Sequence, residues 1–385
     1  MRILKIIFKN AFRHKLRTGL TILSITIAIL AFGLLRTVVD AWYAGAQASS
    51  AYRLVTRSAT SIIFPLPLSY EEKIRQIDGV KTVSYGFWFG GIYIDEKNFF
   101  ANFAVEPKSF FDLYPEYVLS AQEKEAFLND RKAFACGQKL AARFGWKIGD
   151  TVVLKGTVFP GNWEFVLRAI YRGRDKNTDE SQFVFHFDYL NETIKKTATG
   201  RADQVGFYFV GIKNPDQAAE VSAAIDKTFK NSLAETLTET EKAFALGFIA
   251  MSDAIITAIQ LVSFVVIIII LAVVANTMAM SARERTGEYA IFKTLGFGGW
   301  YIAGLIFGES IIITMIGCAV GIAATFPAKA AFAKSMGNYF PIFNLAPKTI
   351  YLDCVLSLLV GILSGIVPTW RAVRIRIADG LRMIE

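Results

Sequence analysis

Four stretches of this sequence are apolar for long enough to cross a lipid bilayer as helices, and they constrain the fold more than any other feature. A bilayer core about 30 Å thick requires about 20 mostly apolar helical residues. We predict spans at residues 18–39, 251–282, 300–326 and 349–370. With 53% hydrophobic residues, the chain is also too apolar for an ordinary soluble enzyme.

The stretch between the first two spans, residues 40–250, has a different character. It contains 25 Lys and Arg against 26 Asp and Glu and is mixed in pattern, so it is long and polar enough to fold around its own core. The sequence therefore predicts an α-helical membrane protein with four transmembrane helices and a mixed α+β domain between the first and second spans.

Basic residues beside the spans predict the orientation of the chain. Residues 1–17 contain six cations and no acid, and residues 283–299 and 371–385 are also basic. Short basic flanks stay in the cytoplasm, so we expect both termini inside and the domain at residues 40–250 outside. A cleaved signal peptide at the first span is the alternative, but its apolar stretch is too long and an uncleaved anchor is favoured.

The first 17 residues predict an amphipathic helix on the cytoplasmic surface of the membrane. Apolar residues recur at helical spacing opposite Arg2, Lys5, Lys9 and Arg13. A disordered basic leader is the alternative.

Hydrophobic alternation and turn residues predict the elements of the large domain. We expect helices at Ser69–Ile77, Ala121–Phe127, Pro215–Lys230 and Ser232–Leu246, the last continuing into span two as a stalk. We expect strands at Phe99–Val105, Thr151–Leu154, Glu164–Tyr171, Phe183–Phe187 and Val205–Ile212. His186 is predicted to be a half-exposed strand residue.

Residues 276–297, NTMAMSARERTGEYAIFKTLGF, are the most informative segment. They follow span two, and Gly287–Leu295 is predicted to form a short helix that Gly296 ends in a left-handed cap. Such a helix on the cytoplasmic face could receive a push from a motor. An ordinary basic loop that stops membrane insertion explains the same pattern equally well.

This segment resembles the hallmark of MacB-type and FtsX-like ABC transporter permeases. In that family it is the coupling region that docks on the ATPase. The resemblance implies this role for the matching positions, which are Asn276, Met278, Ser281, Glu284, Arg285, Glu288, Leu295 and Gly296.

Other segments carry the same resemblance. Residues 10–29 resemble the family's entry to span one, and residues 365–382 resemble its ending, although Thr369 and Ile377 depart from it. Residues 131–156 are similar to part of the MacB-type periplasmic core domain. The family's domain has two subdomains, so we expect residues 106–199 to form a subdomain inserted between the halves of the other.

The predicted spans contain an acidic residue, Glu309, and pairs of glycines at a spacing of four residues. Glu309 would be costly in lipid, and we interpret it as a polar anchor rather than a coupling residue because no second buried charge answers it in the sequence. Gly317 and Gly321, and Gly361 and Gly365, are spaced for close helix packing within a subunit or across a dimer, or are glycines without a special role.

Sites for chemistry are not evident in the sequence. It contains no phosphate-binding G-x-x-x-x-G-K-[ST], no H-E-x-x-H and no G-x-S-x-G motif, so we expect no catalytic residue, cofactor or metal site in this chain. ATP and magnesium would be bound by a separate ATPase. Cys136 is the one cysteine of the large domain, which excludes a disulfide within it. The basic charge reflects topology, and no nucleic-acid partner is expected.

We therefore expect a multi-pass permease of a bacterial inner membrane, working as a dimer with a second copy or homologue and with an ABC ATPase. The resemblance implies movement of the outer domain that drives export or extraction of an amphiphilic or peptide-like cargo. A periplasmic adaptor and an outer-membrane channel are further partners by analogy. The alternatives are release of lipoproteins or lipids from the membrane, and a transducer without cargo that activates a cell-wall hydrolase.

Overall fold

The computed structural model describes residues 2–336, 340 and 342–376. It divides into two compact units, the membrane unit (Met1–Ala41, Ser252–Ser335 and Phe343–Glu385) and the inter-span domain (Trp42–Met251 and Met336–Ile342). The α-helices are α1 Arg2–Ala11, α2 Lys15–Ala48, α3 Tyr70–Arg75, α4 Pro107–Leu113, α5 Ala121–Asn129, α6 Gln138–Phe144, α7 Phe187–Thr197, α8 Ala218–Thr228, α9 Glu241–Ala250, α10 Asp253–Glu284, α11 Thr286–Thr294, α12 Gly299–Met336 and α13 Pro347–Arg374.

The strands all belong to the inter-span domain. They are β1 Arg53–Ser58, β2 Leu66–Pro67, β3 Val80–Trp88, β4 Gly91–Ile92, β5 Asn102–Val105, β6 Tyr117–Val118, β7 Ala133–Gly137, β8 Thr151–Gly156, β9 Gly161–Gly173, β10 Phe183–His186, β11 Gln204–Val205, β12 Phe207–Ile212 and β13 Thr236–Thr240. The main sheet has the order β13-β1-β12-β3-β5-β10-β7-β9-β8-β4, with β6 beside β9, and β2 pairs with β11 in a small second sheet.

Four helices of the membrane unit, α2, α10, α12 and α13, are long and apolar enough to cross a membrane. This confirms the predicted class, a four-helix membrane protein with a mixed α+β domain between the first two spans. One boundary differs, because α12 runs through Pro327 to Met336 where we expected a loop at residues 327–348. The segment after Pro327 is rich in alanine, which favours a helix. The tail from Ile377 onward lies outside the described residues.

Isoleucine and valine side chains form the core of the membrane unit, with Ile25, Ile29, Ile270, Ile306 and Val360 among its buried members. Glycines let the helix backbones approach each other. A β-carbon added to any of four glycines would lie 2.6–2.8 Å from an atom of a neighbouring helix, with Gly317 and Gly321 against α2 and Gly361 and Gly365 against α12. These contacts lie within one subunit.

The inter-span domain is built on one continuous sheet. Strand β5 pairs antiparallel with β3 and parallel with β10, so the segment predicted as an inserted subdomain at residues 106–199 shares its sheet with the rest of the domain. Two buried clusters, one centred on residues such as Phe89, Phe165 and Phe185 and the other on Phe111 and Phe127, form its core.

Two predictions for this domain are wrong. The segment Ser232–Leu246 is not one helix, since Thr236–Thr240 pairs with β1 as strand β13 before α9 begins, and a break at Met251 and Ser252 separates α9 from α10. His186 is not half exposed. It is buried, and its Nε2 lies 2.7 Å from the carbonyl oxygen of Phe127.

A buried arginine joins three parts of the inter-span domain. Arg53 on β1 pairs with Glu116 at 2.5 Å and with Glu241, the first residue of α9, at 2.9 Å. It also donates to the carbonyl oxygen of Leu113 at 2.9 Å, and its guanidinium lies 4.1 Å from the centre of the Tyr114 ring. Local sequence patterns could not indicate this cluster, because its members are far apart along the chain.

Candidate functional site

The segment that follows span two forms a short helix with defined ends. Helix α10 ends at Glu284, Arg285 makes the turn, and α11 follows. Gly296 has a φ of +86°, while its N–H donates to the carbonyl of Lys293 and the Phe297 N–H donates to that of Phe292. This is the Schellman arrangement, and it ends α11 abruptly.

A buried ion pair connects this turn to span three. The Arg285 guanidinium donates to Glu309 at 2.9 Å, and the Ser281 hydroxyl donates to the same carboxylate at 3.2 Å. Arg285 is 6% exposed and Glu309 5% exposed. The expectation that no buried charge answers Glu309 is therefore wrong. The turn after α10 directs Arg285 into the helix bundle, where it meets Glu309.

The two other carboxylates of the motif pair with the segment that precedes span one. Glu284 accepts two hydrogen bonds from Arg17, at 2.7 and 2.9 Å. Glu288 pairs with Arg13 and, at 3.0 Å, with Arg285. Burial opposes ionisation of Glu288, but the hydrogen bonds from Arg13 and Arg285 outweigh it and lower the pKa of this carboxyl.

The far end of α11 is joined to span four. The Lys293 ammonium donates to the carbonyl oxygens of Val373 at 2.6 Å and Ile375 at 2.8 Å, and so satisfies acceptors left open at the end of α13. Contacts of α11, and of Arg285 at its start, therefore reach the turn before α2, helix α12 and the end of α13. We call these contacts the α11 network; it comprises Arg13, Arg17, Glu284, Arg285, Glu288, Lys293 and Glu309.

Most of this network lies in a recognisable domain. Residues 261–377 match the FtsX-like permease C-terminal family. The chain carries an FtsX-like permease domain. The matched segment includes α11, Glu309 and the four packing glycines, and excludes the N-terminal partners Arg13 and Arg17.

Curated relatives agree with this family. The chain is 25% identical over 407 residues to an uncharacterized ABC transporter permease, MJ1507, of Methanocaldococcus jannaschii, covering 97% of this chain and 96% of the relative. It is 32% identical over 110 residues to the uncharacterized ABC transporter permease YvrN of Bacillus subtilis, covering 28% of this chain and 26% of that one. It is 27% identical over 108 residues to the macrolide export ATP-binding/permease protein MacB of Chromobacterium violaceum, covering 28% and 16%.

Solved structures of two outer domains are also similar to this chain. The extracellular domain of the ABC-type transporter YknZ from Gram-positive bacteria has 12% identity and a TM-score of 0.36, covering 49% of this chain and all of that one. The periplasmic region of MacB from Actinobacillus actinomycetemcomitans has 10% identity and a TM-score of 0.39, covering 52% and 94%. The expected resemblance to FtsX-like and MacB-type ABC transporter permeases is confirmed by the family match and the relatives.

The segment from α11 to the start of α12 also carries exposed apolar side chains. Trp300 is 92% exposed and Leu295 69% exposed, and Ile291 and Phe297 are exposed as well. We call these four residues the apolar knob. Only Leu295 was among the predicted coupling residues, because aromatic residues next to a span are ordinary membrane anchors in a sequence.

The remaining predicted coupling residues do not share one surface. Met278 is buried in the core of the membrane unit, whereas Asn276 is exposed on α10. The structure thus brings Ser281, Glu284, Arg285 and Glu288 together with Glu309, and leaves Asn276 and Met278 apart from them.

Proposed function

We propose that this chain is the permease subunit of an ABC transporter whose separate ATPase binds ATP and Mg²⁺ and drives movement of the inter-span domain. That movement exports or extracts an amphiphilic or peptide-like cargo. The chain works in a dimer of permeases, with the basic flanks in the cytoplasm and the inter-span domain outside the membrane.

The α11 network is the observation that carries this proposal. Three separate bonds support it: Glu288 of α11 pairs with Arg13 in the turn before α2, Arg285 at the start of α11 pairs with Glu309 of α12, and Lys293 binds the end of α13. A displacement of α11 would therefore be passed to packed, rigid helices rather than absorbed by a loop. Helix α2 has 34 residues without a break, which corresponds to about 51 Å at 1.5 Å per residue.

The apolar knob is the contact surface that we assign to the ATPase. The carboxylates of Glu284 and Glu288 are engaged by arginines of their own chain, so they serve the internal network. Ile291, Leu295, Phe297 and Trp300 are exposed and grouped within ten residues. Large apolar and aromatic side chains are the usual energetic centres of protein interfaces.

Coexpression with ABC ATPases of the same genome, followed by copurification with this chain, tests the proposal. Leu295→Asp and Trp300→Asp should each abolish copurification, because they place a charge in the interface while the α11 network stays intact. Leu233→Asp is the matched control, since Leu233 is fully exposed in the inter-span domain. Retention of the ATPase by both knob variants would contradict the proposed contact surface.

Exchanging the charges of Arg13 and Glu288 distinguishes direct binding of the ATPase by Glu288 from a role of Glu288 inside the α11 network. Glu288→Arg alone should weaken ATPase binding by detaching α11 from Arg13 and Arg285. The double variant Arg13→Glu with Glu288→Arg should restore part of the binding, since it re-forms one pair with reversed polarity. If the ATPase itself contacted the Glu288 carboxylate, the double variant would bind the ATPase as poorly as the single variant.

Cysteine labelling in intact cells tests the orientation. In a chain whose three cysteines are replaced by serine, Leu233→Cys should react with a membrane-impermeant maleimide. Trp300→Cys should react only after the membrane is permeabilised. The reverse pattern would contradict the topology.

The effect of amphiphiles or peptides on ATPase activity tests the transport part of the proposal. Stimulation would support transport. No stimulation, together with a cell-wall hydrolase bound to the inter-span domain, would favour a transducer.

A further inference from the structure

A buried carboxyl without a charge partner lies in the membrane unit, far along the chain from the α11 network. Asp353 is on the second turn of α13 and is 1% exposed. Its Oδ1 accepts no hydrogen bond from the residues that the structure describes. The Oγ of Ser357, one turn further on, also has no hydrogen-bond partner among them.

Helix α2 approaches this carboxyl closely. A β-carbon added to Gly33 would lie 3.6 Å from the Asp353 Oδ2. The charged groups of α2 in this region are Arg36 and Asp40, which face each other at 3.8 Å, and Asp40 accepts a hydrogen bond from Thr349 at 3.2 Å. The nearby cation is therefore already engaged by a second acid.

The other neighbouring helices offer no compensating charge. Helix α10 packs along α13 and has no charged residue between Asp253 and Arg283. Helix α12 contributes the thiol of Cys318, the hydroxyl of Thr325, which donates to the Gly321 carbonyl at 2.9 Å, and Lys329 one turn further on. Helix α13 itself contributes the Cys354 thiol on the following residue, the exposed Tyr351 and Lys348 near its start. Neither lysine makes an ion pair with Asp353 in the described part of the chain.

We propose that Asp353 is a proton-binding site that holds α13 against α2 in its protonated form. An ionised carboxylate in this position would lack both water and a counter-charge, which costs several kcal/mol, whereas the neutral acid avoids that cost. A metal ion is not the ligand, because the described residues include no cluster of three or more His, Cys, Asp or Glu side chains.

Proton binding makes the packing of these helices depend on pH. The protonated acid fits the packed state, and the carboxylate favours a state in which the position is reached by water. The packed state is therefore most stable at acidic pH and weakens as pH rises, because the unpacked state releases the proton. This inference rests on the membrane unit alone and would hold if the ATPase contact were placed elsewhere.

Labelling with dicyclohexylcarbodiimide, an apolar reagent that modifies protonated carboxyls, tests the proposal on the full chain in lipid nanodiscs. Mass spectrometry should locate the adduct on Asp353 at mildly acidic pH, and the yield should fall as pH rises. Asp353→Asn should remove the adduct, and the control Asp40→Asn should leave it. An adduct yield that does not change with pH would overturn the proposal.

Two further measurements do not require a reagent to reach the buried carboxyl. Infrared spectroscopy should detect a protonated carboxyl band that Asp353→Asn removes; a spectrum unchanged by the substitution would overturn the proposal. The melting temperature of the wild-type chain minus that of Asp353→Asn, compared at the same pH, should fall from acidic to alkaline pH, because this difference removes the pH dependence that both chains share through the inter-span domain. A difference that does not change with pH would also overturn the proposal.

Discussion

Removing one member of the Arg285–Glu309 pair should be more harmful than removing both, and the two single variants should differ in a defined order. Arg285 has a second acceptor, Glu288 at 3.0 Å, whereas Glu309 retains only the Ser281 hydroxyl at 3.2 Å. Arg285→Met therefore leaves a buried carboxylate nearly alone. Glu309→Gln leaves an arginine that still has one carboxylate and an amide oxygen.

The expected magnitudes follow from burial. Leaving one charge of a buried pair unpartnered costs about 3–5 kcal/mol. Both side chains are nearly inaccessible, so little of this is relieved by water. We expect Arg285→Met near the upper end of that range and Glu309→Gln at or below the lower end. The double variant Arg285→Met with Glu309→Gln should recover most of the loss, since it leaves no uncompensated charge.

Chemical and thermal unfolding of the full chain in nanodiscs would measure these costs as a double-mutant cycle. A second measurement is the rate at which maleimide labels a cysteine placed at the buried Ala290 of α11. This rate should rise in the single variants and return to the wild-type rate in the double variant. The reasoning is refuted if the two single effects add within about 0.5 kcal/mol, because residues in contact should couple more strongly than that. It is also refuted if Glu309→Gln is the more harmful change.

Three further predictions concern other parts of the molecule. Burial lowers the pKa of His186, so the inter-span domain should lose stability as pH falls below about 6.5, and His186→Gln should remove that loss in pH-dependent unfolding. Arg53→Met should destabilise the same domain by about 3–5 kcal/mol in urea unfolding, whereas the additional change Glu116→Gln should add little. Gly317→Ala should cost about 1–3 kcal/mol by overpacking, but Gly19→Ala, which meets no described atom within 4 Å, should not lower the melting temperature.

Local patterns were sufficient for the spans and for α11, because apolar length and a glycine cap are properties of neighbouring residues. They failed where distant residues meet. Arg285 and Glu309 lie on different helices, so neither residue's neighbours in the sequence reveal the pair. Asp353 lies inside the predicted span 349–370, and its apolar neighbours in the sequence do not reveal that the fold buries it without a charge partner.

The inter-span domain shows the same limit. Residues 232–246 are rich in alanine, leucine and glutamate, which favour helices, yet pairing of Thr236–Thr240 with β1 overrides that preference. The apolar knob was missed for a related reason. Exposed Trp300 and Phe297 resemble anchors at a membrane surface until the structure places them beside α11.

The strand shared by the two parts of the inter-span domain restricts how this domain can change shape. Each residue from Asn102 to Val105 is paired with β10, and the last three are also paired with β3. A hinge that moved residues 106–199 away from the rest of the domain would have to break the hydrogen bonds on one side of this strand. The backbone N–H and C=O groups on that side would then lose their partners. The two parts should therefore behave as one rigid body, and no cleft should open between them.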